Sequence, residues 1–425
     1  MTTVSLSPQA IANLRTIIDN ACADENIGLP CANVMVVGKG DGSTCELFSH
    51  SAGVKGAEDR QLCDGEDDIY WLASCTKLVT GIACMQLVEQ GKLGLDDADQ
   101  VETLCPELKE VSVLQEDGSK AEKKRGITLR MLLTHTGDAE AGFGYSFLNR
   151  KLRSYFLEHC GYIPEYNEFS GYMHDFYQPL VNQPGERFEY GINIDWAGIL
   201  VERVTGIWLN DYMQQFIFAP LEVHDVSMIP SAHMKERLVG LWHRSAGGHL
   251  LRRDYPLNKP LDVKEAAEIF HSGGAGLFGS IREFSKILVA LLNDGRSPQT
   301  GQQVLSPRTV KEMFTNQIHQ HPDFARQPLS AMKPDLVSPC KELYPLCPTP
   351  TPQGWGLTFM ISPGVTGRSD TTAHWSGLSN VFWWCDRERG VAGIVGSQVL
   401  PFVDPEAGLL WASVEAAVYE GLQGA

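Results

Sequence analysis

Ser74 and Lys77 are the residues of this chain whose types and spacing point most directly to chemistry. A short apolar run, Ile69 to Ala73, ends at the serine, and Leu78, Ile82, Met85 and Val88 then recur at helical spacing. A hydroxyl at a helix start lies among unpaired backbone N–H groups and at the positive end of the helix dipole, which favours a developing anion. Lys77 follows three residues later and faces the same side. Buried there, its amine shifts toward the neutral form and can take the serine proton. The plain alternative is an N-cap serine followed by a solvated lysine, since Ser-x-x-Lys also occurs by chance.

A second stretch, Pro184-Gly-Glu-Arg-Phe-Glu-Tyr190-Gly-Ile-Asn193-Ile-Asp195-Trp196, places Tyr190 after a turn and just before a helix. Beside Lys77 its phenol could be ionised or share the lysine proton, and so act as general acid/base for Ser74. Asn193 could orient a substrate amide or the lysine, and Asp195 reads as a helix-capping acid. A third stretch, His374-Trp375-Ser376-Gly377-Leu378-Ser379-Asn380, suits an edge strand whose glycine lets a carbonyl approach. The N–H of Leu378 could pair with that of Ser74 as an oxyanion hole; read alone, the stretch is a strand ending in a Ser-Gly turn.

Other patterns are discounted. Gly274-Ala-Gly276-Leu-Phe-Gly279 fits G-x-G-x-x-G, but its flanks lack the strand and acidic residue of a dinucleotide site. Ser49-His-Ser51-Ala-Gly53 lacks the first glycine of a nucleophile elbow. His319-Gln-His321 has no third ligand in view, so no metal is expected. His135 reads as a structural hydrogen-bonder, and Cys75 as a buried helix cysteine.

The elements that must position these groups are legible in outline. Ser7-Pro8 opens an N-terminal helix with Ile11, Leu14 and Ile18 as its buried stripe. Val34–Gly38 and Cys45–Ser51 read as strands around the turn Gly40-Asp41-Gly42-Ser43, and the acidic Glu58–Asp68 as a solvated loop. Gly91 supplies the stop for the Ser74 helix. Helical character returns over Ile127–Thr134, Trp196–Thr205, Trp208–Phe218, Thr309–Phe314 and, from the capping box Ser280-Ile-Arg-Glu283, to Leu292. Residues 138–185, rich in Tyr, Phe and Gly, suit a lid or pocket wall, and the proline-rich stretch 318–352 a surface insertion. Trp355–Ile361, Thr371–Trp375, Val381–Cys385 and Val391–Gly396 read as consecutive antiparallel strands, and Pro405–Leu422 as a last helix. The two ends of the chain are therefore expected to share one sheet.

Composition narrows the class. With 425 residues, 43% of them hydrophobic and 20% charged, the chain is of ordinary globular make-up. The net charge of −17, with only Lys120–Arg125 as a basic cluster, argues against nucleic acid as a partner. No apolar run is long enough for a membrane span, and Met1–Leu14 lacks a signal pattern. Eleven scattered cysteines without a C-x-x-C pair suggest free thiols in a reducing, cytoplasmic compartment rather than a disulfide framework.

Taken in order, Ser74-Cys-Thr-Lys77, Leu132-Leu-Thr-His135-Thr, Tyr190-Gly-Ile-Asn-Ile-Asp195-Trp196-Ala-Gly-Ile-Leu-Val-Glu-Arg-Val-Thr-Gly206 and Trp375-Ser-Gly377 resemble the serine β-lactamase / penicillin-recognising superfamily on its class C and esterase side. Within it, the pattern resembles the lovastatin side-chain acyltransferase and related fungal transesterases and esterases. The resemblance implies an α/β (α+β), β-lactamase/transpeptidase-like fold: an antiparallel-rich sheet flanked by helices plus a helical region, in one catalytic domain spanning 1–425. It also implies Ser74 as nucleophile, Lys77 and Tyr190 as the proton-handling pair, and oxyanion donors at Ser74 and Leu378. Two positions depart from the family. Trp375-Ser-Gly stands where β-lactam enzymes carry Lys-Thr-Gly, which removes the cation for a β-lactam carboxylate. His135-Thr136-Gly137-Asp138 replaces His-Thr-Ser-Gly, which alters the loop at the pocket entrance.

The expected activity is acyl transfer from an ester or thioester, with coenzyme A or an acyl carrier protein as candidate carriers, to a hydroxyl of a small natural product. A carboxylesterase using water is the alternative, and a non-catalytic binding relative the third reading. No cofactor is expected. The aromatic side chains Phe143, Tyr145, Phe147, Trp208, Trp375, Phe382 and Trp383 are candidates for the substrate lining, with Asn193, Ser376 and Gly377 as polar or backbone contacts.

Overall fold

The computed structural model describes residues 4–24, 27–40, 45–55, 62–63, 65, 67–135, 140–159, 167–185, 187–263 and 265–424. The turn at 41–43, most of the acidic stretch 58–68 and the Thr136–Asp138 departure lie outside them.

A seven-stranded antiparallel sheet joins the two ends of the chain. Its strands are β1 (Cys31–Gly38), β2 (Glu46–Gly53), β3 (Gly354–Trp355), β4 (Met360–Ile361), β5 (Ala373–Gly377), β6 (Val381–Asp386) and β7 (Val391–Gly396). Their spatial order is β3-β4-β5-β6-β7-β1-β2, so β7 pairs with β1 along Val391↔Gly38 to Gly396↔Asn33. All eight residues of β1 are buried, as a strand covered on both faces requires. One expectation is corrected here. Trp355–Ile361 is not a single strand but the hairpin β3–β4, which turns through Thr358 at φ +88°. The apolar alternation runs on through so tight a turn and hides it.

Helices flank the sheet. The N-terminal helix α1 (Pro8–Ala21) begins at Ser7, whose Oγ accepts from the Ala10 N–H at 3.2 Å. Helix α2 (Thr76–Glu89) carries Lys77, α3 is Leu129–Thr134, α4 is Asn193–Thr205, α5 is Ile281–Leu292 and α6 is Pro405–Gly421. α1 packs on α6, α5 on β1, β6 and β7, and α2 on α4. α2 is buried on every side from Thr76 to Leu87, not along one stripe. Its polar members are consequently bonded: Thr80 donates to the Gly273 carbonyl at 2.7 Å, and Gln86 to the Phe216 and Val304 carbonyls at 3.0 Å. Gly91 ends α2 at φ +66°, the left-handed stop expected of it.

Three further expectations change. The stretch 318–352 is not peripheral: Ile318, Phe324, Leu336, Val337 and Tyr344 are buried, and the Tyr344 ring packs on Trp411 of α6 at 5.4 Å. Asp68 is not solvated but buried in a 3.0 Å ion pair with Lys55. Cys31 and Cys63 are disulfide-bonded, whereas Cys75, Cys84, Cys105 and Cys385 are free and buried. Among the described residues no helix is long and apolar enough to cross a membrane.

Candidate active site

Ser74 does not sit in α2 itself but in the single 3-10 turn, Ala73–Cys75, that feeds it. Ala73 enters that turn at φ +43°, a left-handed conformation costly for a side-chain-bearing residue. Strand β5 packs directly against this backbone: a Cβ on Gly377 would meet the Leu72 carbonyl oxygen at 2.5 Å. The glycine thus lets the strand approach the turn, and Ser74 is left half-buried at the floor of a cleft.

Two side chains converge on its hydroxyl, one from three residues along the chain and one from 116. Lys77 Nζ lies 2.9 Å from Ser74 Oγ, and the Tyr190 hydroxyl donates to Ser74 Oγ at 2.8 Å. Trp375 Nε1 in turn donates to Tyr190 Oη at 3.0 Å. Lys77 Nζ also reaches Tyr145 Oη at 3.2 Å and the Gly274 carbonyl at 2.8 Å. It is fully buried, and desolvation pushes its amine down to about 7, against the opposing pull of Asp195. Burial pushes the Tyr145 and Tyr190 phenols up instead, so both stay protonated at neutral pH. An ionised Tyr190 is therefore not the resting state. The arrangement offers a hydroxyl, a near-neutral amine to receive its proton, and a phenol able to relay one.

The cleft over Ser74 encloses about 280 Å³. Tyr145, Phe147, Phe169, Phe188, Phe324 and Trp375 give it an aromatic wall, and Ser376, Gly377 and Leu378 form its β5 edge. The stretch expected on the surface closes one side with Phe324, Leu329, Val337 and Leu343.

Other candidates fall elsewhere. Phe143 is fully buried behind the cleft, stacked on Trp196 at 6.1 Å. Trp208 is 45% exposed beside His271, Phe382 stacks on Trp411 at 4.7 Å, and Trp383 packs on Phe359 at 5.8 Å. Asn193 reaches neither substrate space nor Lys77. Fully buried, it bonds His135 Nδ1 at 2.8 Å and the carbonyls of Phe143 and Glu189 at 3.2 Å. His135 is a buried structural residue, as expected, with its ring 4.7 Å from that of Tyr190. Burial drives its imidazole neutral.

Asp195 caps nothing. Its Oδ1 accepts from the Ser272 hydroxyl at 2.6 Å and the Gly274 N–H at 3.0 Å, which fixes the loop whose carbonyl holds Lys77. Gly274, the first glycine of the discounted G-x-G-x-x-G pattern, thus packs against Asp195 of α4 and bonds the lysine, whereas Gly276 and Gly279 pack on Met228 and Val226. No local spacing betrays this, since Asp195 and Gly274 are 79 residues apart. Among the described residues the metal-ligand-like group is Cys31, Cys63 and Asp68, and its two sulfurs are bonded to each other.

Relatives share this frame. The chain is 32% identical over 366 residues to the monacolin J acid methylbutanoyltransferase of Aspergillus terreus, covering 83% of this chain and 82% of that one. It is 34% identical over 368 residues to the lovastatin esterase of Penicillium rubens, covering 82% and 86%. The unliganded simvastatin synthase of Aspergillus terreus superposes with a TM-score of 0.77 at 29% identity, over 97% of this chain and 98% of that one. The family model described as Beta-lactamase matches residues 18–334. That span is most of the molecule and holds Ser74, Lys77 and Tyr190: the chain belongs to the beta-lactamase family.

Proposed function

We infer that the protein is a serine acyltransferase that moves an acyl group from an ester or thioester to a hydroxyl of a small natural product. The observation that carries this is the convergence of Lys77 Nζ and Tyr190 Oη on Ser74 Oγ inside an aromatic cleft. With Lys77 neutral, Ser74 attacks the donor carbonyl and its proton passes to the lysine amine. The oxyanion is met by the N–H groups of Ser74 and Leu378. As the tetrahedral intermediate collapses, the proton returns through Tyr190 to the leaving thiolate or alkoxide, and an ester to Ser74 remains. The acceptor alcohol then gives its proton back through Tyr190 and Lys77 as it attacks that ester, which releases the product and free Ser74.

The aromatic wall supports transfer, because an apolar cleft favours a bulky alcohol over water. The likeness to a transferase that acts on monacolin J acid supports it as well. Candidate donors are acyl esters and thioesters, with coenzyme A or an acyl carrier protein as candidate carriers of the latter. The buried free thiols favour a cytoplasmic setting, and the Cys31–Cys63 disulfide counts against it. A second reading, ester hydrolysis, is favoured by the likeness to a lovastatin esterase. Incubation with an acyl thioester, with and without apolar alcohols, separates the two. Alcohol-trapped ester as the main product is expected; release of free acid at an unchanged rate, with no trapping by any alcohol, would replace transferase by esterase.

A further inference from the structure

Lys77 is held by three oxygens, of Ser74, Tyr145 and Gly274, and none is a carboxylate. The titratable groups around it come from every element packed there: Cys75 in the Ser74 turn, His135 after α3, Tyr145 and Tyr190 from the cleft wall, and Asp195 on α4. Burial keeps Cys75, Tyr145 and Tyr190 protonated and His135 neutral, so Asp195 is the group of this set that can bear a negative charge. Its side chain is 1% exposed, yet one carboxylate oxygen receives two donors, the Ser272 hydroxyl and the Gly274 N–H. Burial raises the Asp195 carboxyl above its ordinary range, and the charge of Lys77 and these two donors oppose that shift by favouring the ionised form. Gly274 is thus bonded on both sides of its Cα, to Asp195 through its N–H and to Lys77 through its carbonyl. A Cβ there would collide with the Asp195 carboxylate, so glycine is required at the link.

We propose that Asp195 is a positioning residue that acts through Lys77: its buried carboxylate is the counter-charge of the lysine, and the Ser272–Gly274 loop fixes the lysine amine at the serine hydroxyl. The proposal rests on the reading of Ser74 and Lys77 as nucleophile and base. The carboxylate makes the ammonium easier to keep, and so sets the pH at which Lys77 becomes a free base. A residue that only anchored the loop would affect the rate at all pH values alike.

The test is the pH dependence of Ser74 acylation by a fluorophosphonate, followed by intact mass. Asp195→Asn keeps an oxygen for the Ser272 and Gly274 donors and removes the charge. Its acid limb is expected to move down by about one pH unit or more, because an opposite charge nearby shifts a titration by roughly that much. A limb that stays in place or moves up overturns the proposal. Wild type that shows no Ser74-dependent adduct overturns the acyl-enzyme reading itself, a separate result.

Should Asp195→Asn not fold, Lys77→Met reads the same coupling from the other end. Without the lysine, the buried carboxylate has no counter-charge, and its folded-state pKa rises further above the unfolded one. Stability then falls as pH rises through that folded value. Between about pH 4.5 and 6 Lys77 itself is almost wholly protonated in both folded and unfolded wild type, so it adds little slope there. The thermal midpoint of Lys77→Met is expected to drop relative to wild type across this window. A difference between the two that stays constant with pH overturns the proposal.

Discussion

At the scale of residues, the donors of the site converge on one hydroxyl: Trp375 donates to Tyr190, and Tyr190 and Lys77 both donate to Ser74. Because desolvation pushes Lys77 down to about 7, this amine, the proposed base, is free above that pH and protonated below it. The second-order rate of serine acylation is therefore expected to fall about tenfold per unit below pH 7 and to level off above it. A limb in the carboxylate range, or one near 10, would assign the base elsewhere. Trp375→Phe keeps an aromatic ring but removes the N–H donated to Tyr190. One net hydrogen bond of about 1 kcal/mol corresponds to a roughly fivefold loss in acylation rate, read by stopped assay against wild type. Ser74, Lys77 and Tyr190 were legible in the sequence because a serine and a lysine one helical turn apart share a face, and a tyrosine stands at a turn–helix junction. The lysine's other partners were not. Tyr145 is 68 residues from Lys77, and such a contact leaves no local period. Asn193 shows the reverse error: at the first position of α4 its side chain points into the packing against His135 rather than into the cleft.

At the scale of elements, the Ser74 turn and strand β5 are one device. The turn holds Ala73 at positive φ where β5 presses its glycine against the Leu72 carbonyl. Gly377→Ala is expected to push strand and turn apart. A displacement of that kind costs on the order of a hundredfold in activity, with most of the thermal stability retained. Unchanged turnover in the variant would show that the close approach is dispensable. A second element-level contact joins α6 to the loop before β5, where Arg368 Nε donates to Glu415 at 2.7 Å with both side chains fully buried. Glu415→Ala strands a buried guanidinium and is expected to cost about 3–5 kcal/mol in urea unfolding. A loss below about 1 kcal/mol would place that charge in contact with solvent. The sheet strands were readable because β-branched and aromatic residues cluster in them, with β1, β6 and β7 buried throughout. The β3–β4 hairpin was not, because Trp355, Leu357, Phe359 and Ile361 keep the alternation through the turn at Thr358.

At the scale of the molecule, the two ends of the chain close one sheet, the helical middle stands over its β5 side, and the cleft runs between them. The N- and C-terminal halves of that plan follow from strand and helix patterning. The stretch 318–352 does not, since prolines remove the periodicity by which burial is usually inferred. Yet Phe324 from this stretch packs on Phe188 at 4.5 Å and forms part of the cleft wall. Phe324→Ala removes apolar surface of the order of 1.5–3 kcal/mol. A roughly tenfold rise in KM for bulky apolar acceptors is expected, with little change for a small activated ester. Equal effects on both would argue that the ring supports the fold rather than the substrate. All of this depends on one oxygen being the acyl acceptor. Intact-mass spectrometry after exposure to an acyl thioester, on wild type and Ser74→Ala side by side, tests it most directly. One acyl group on wild type and none on Ser74→Ala is the expected result; an adduct on both proteins, or on neither, contradicts it.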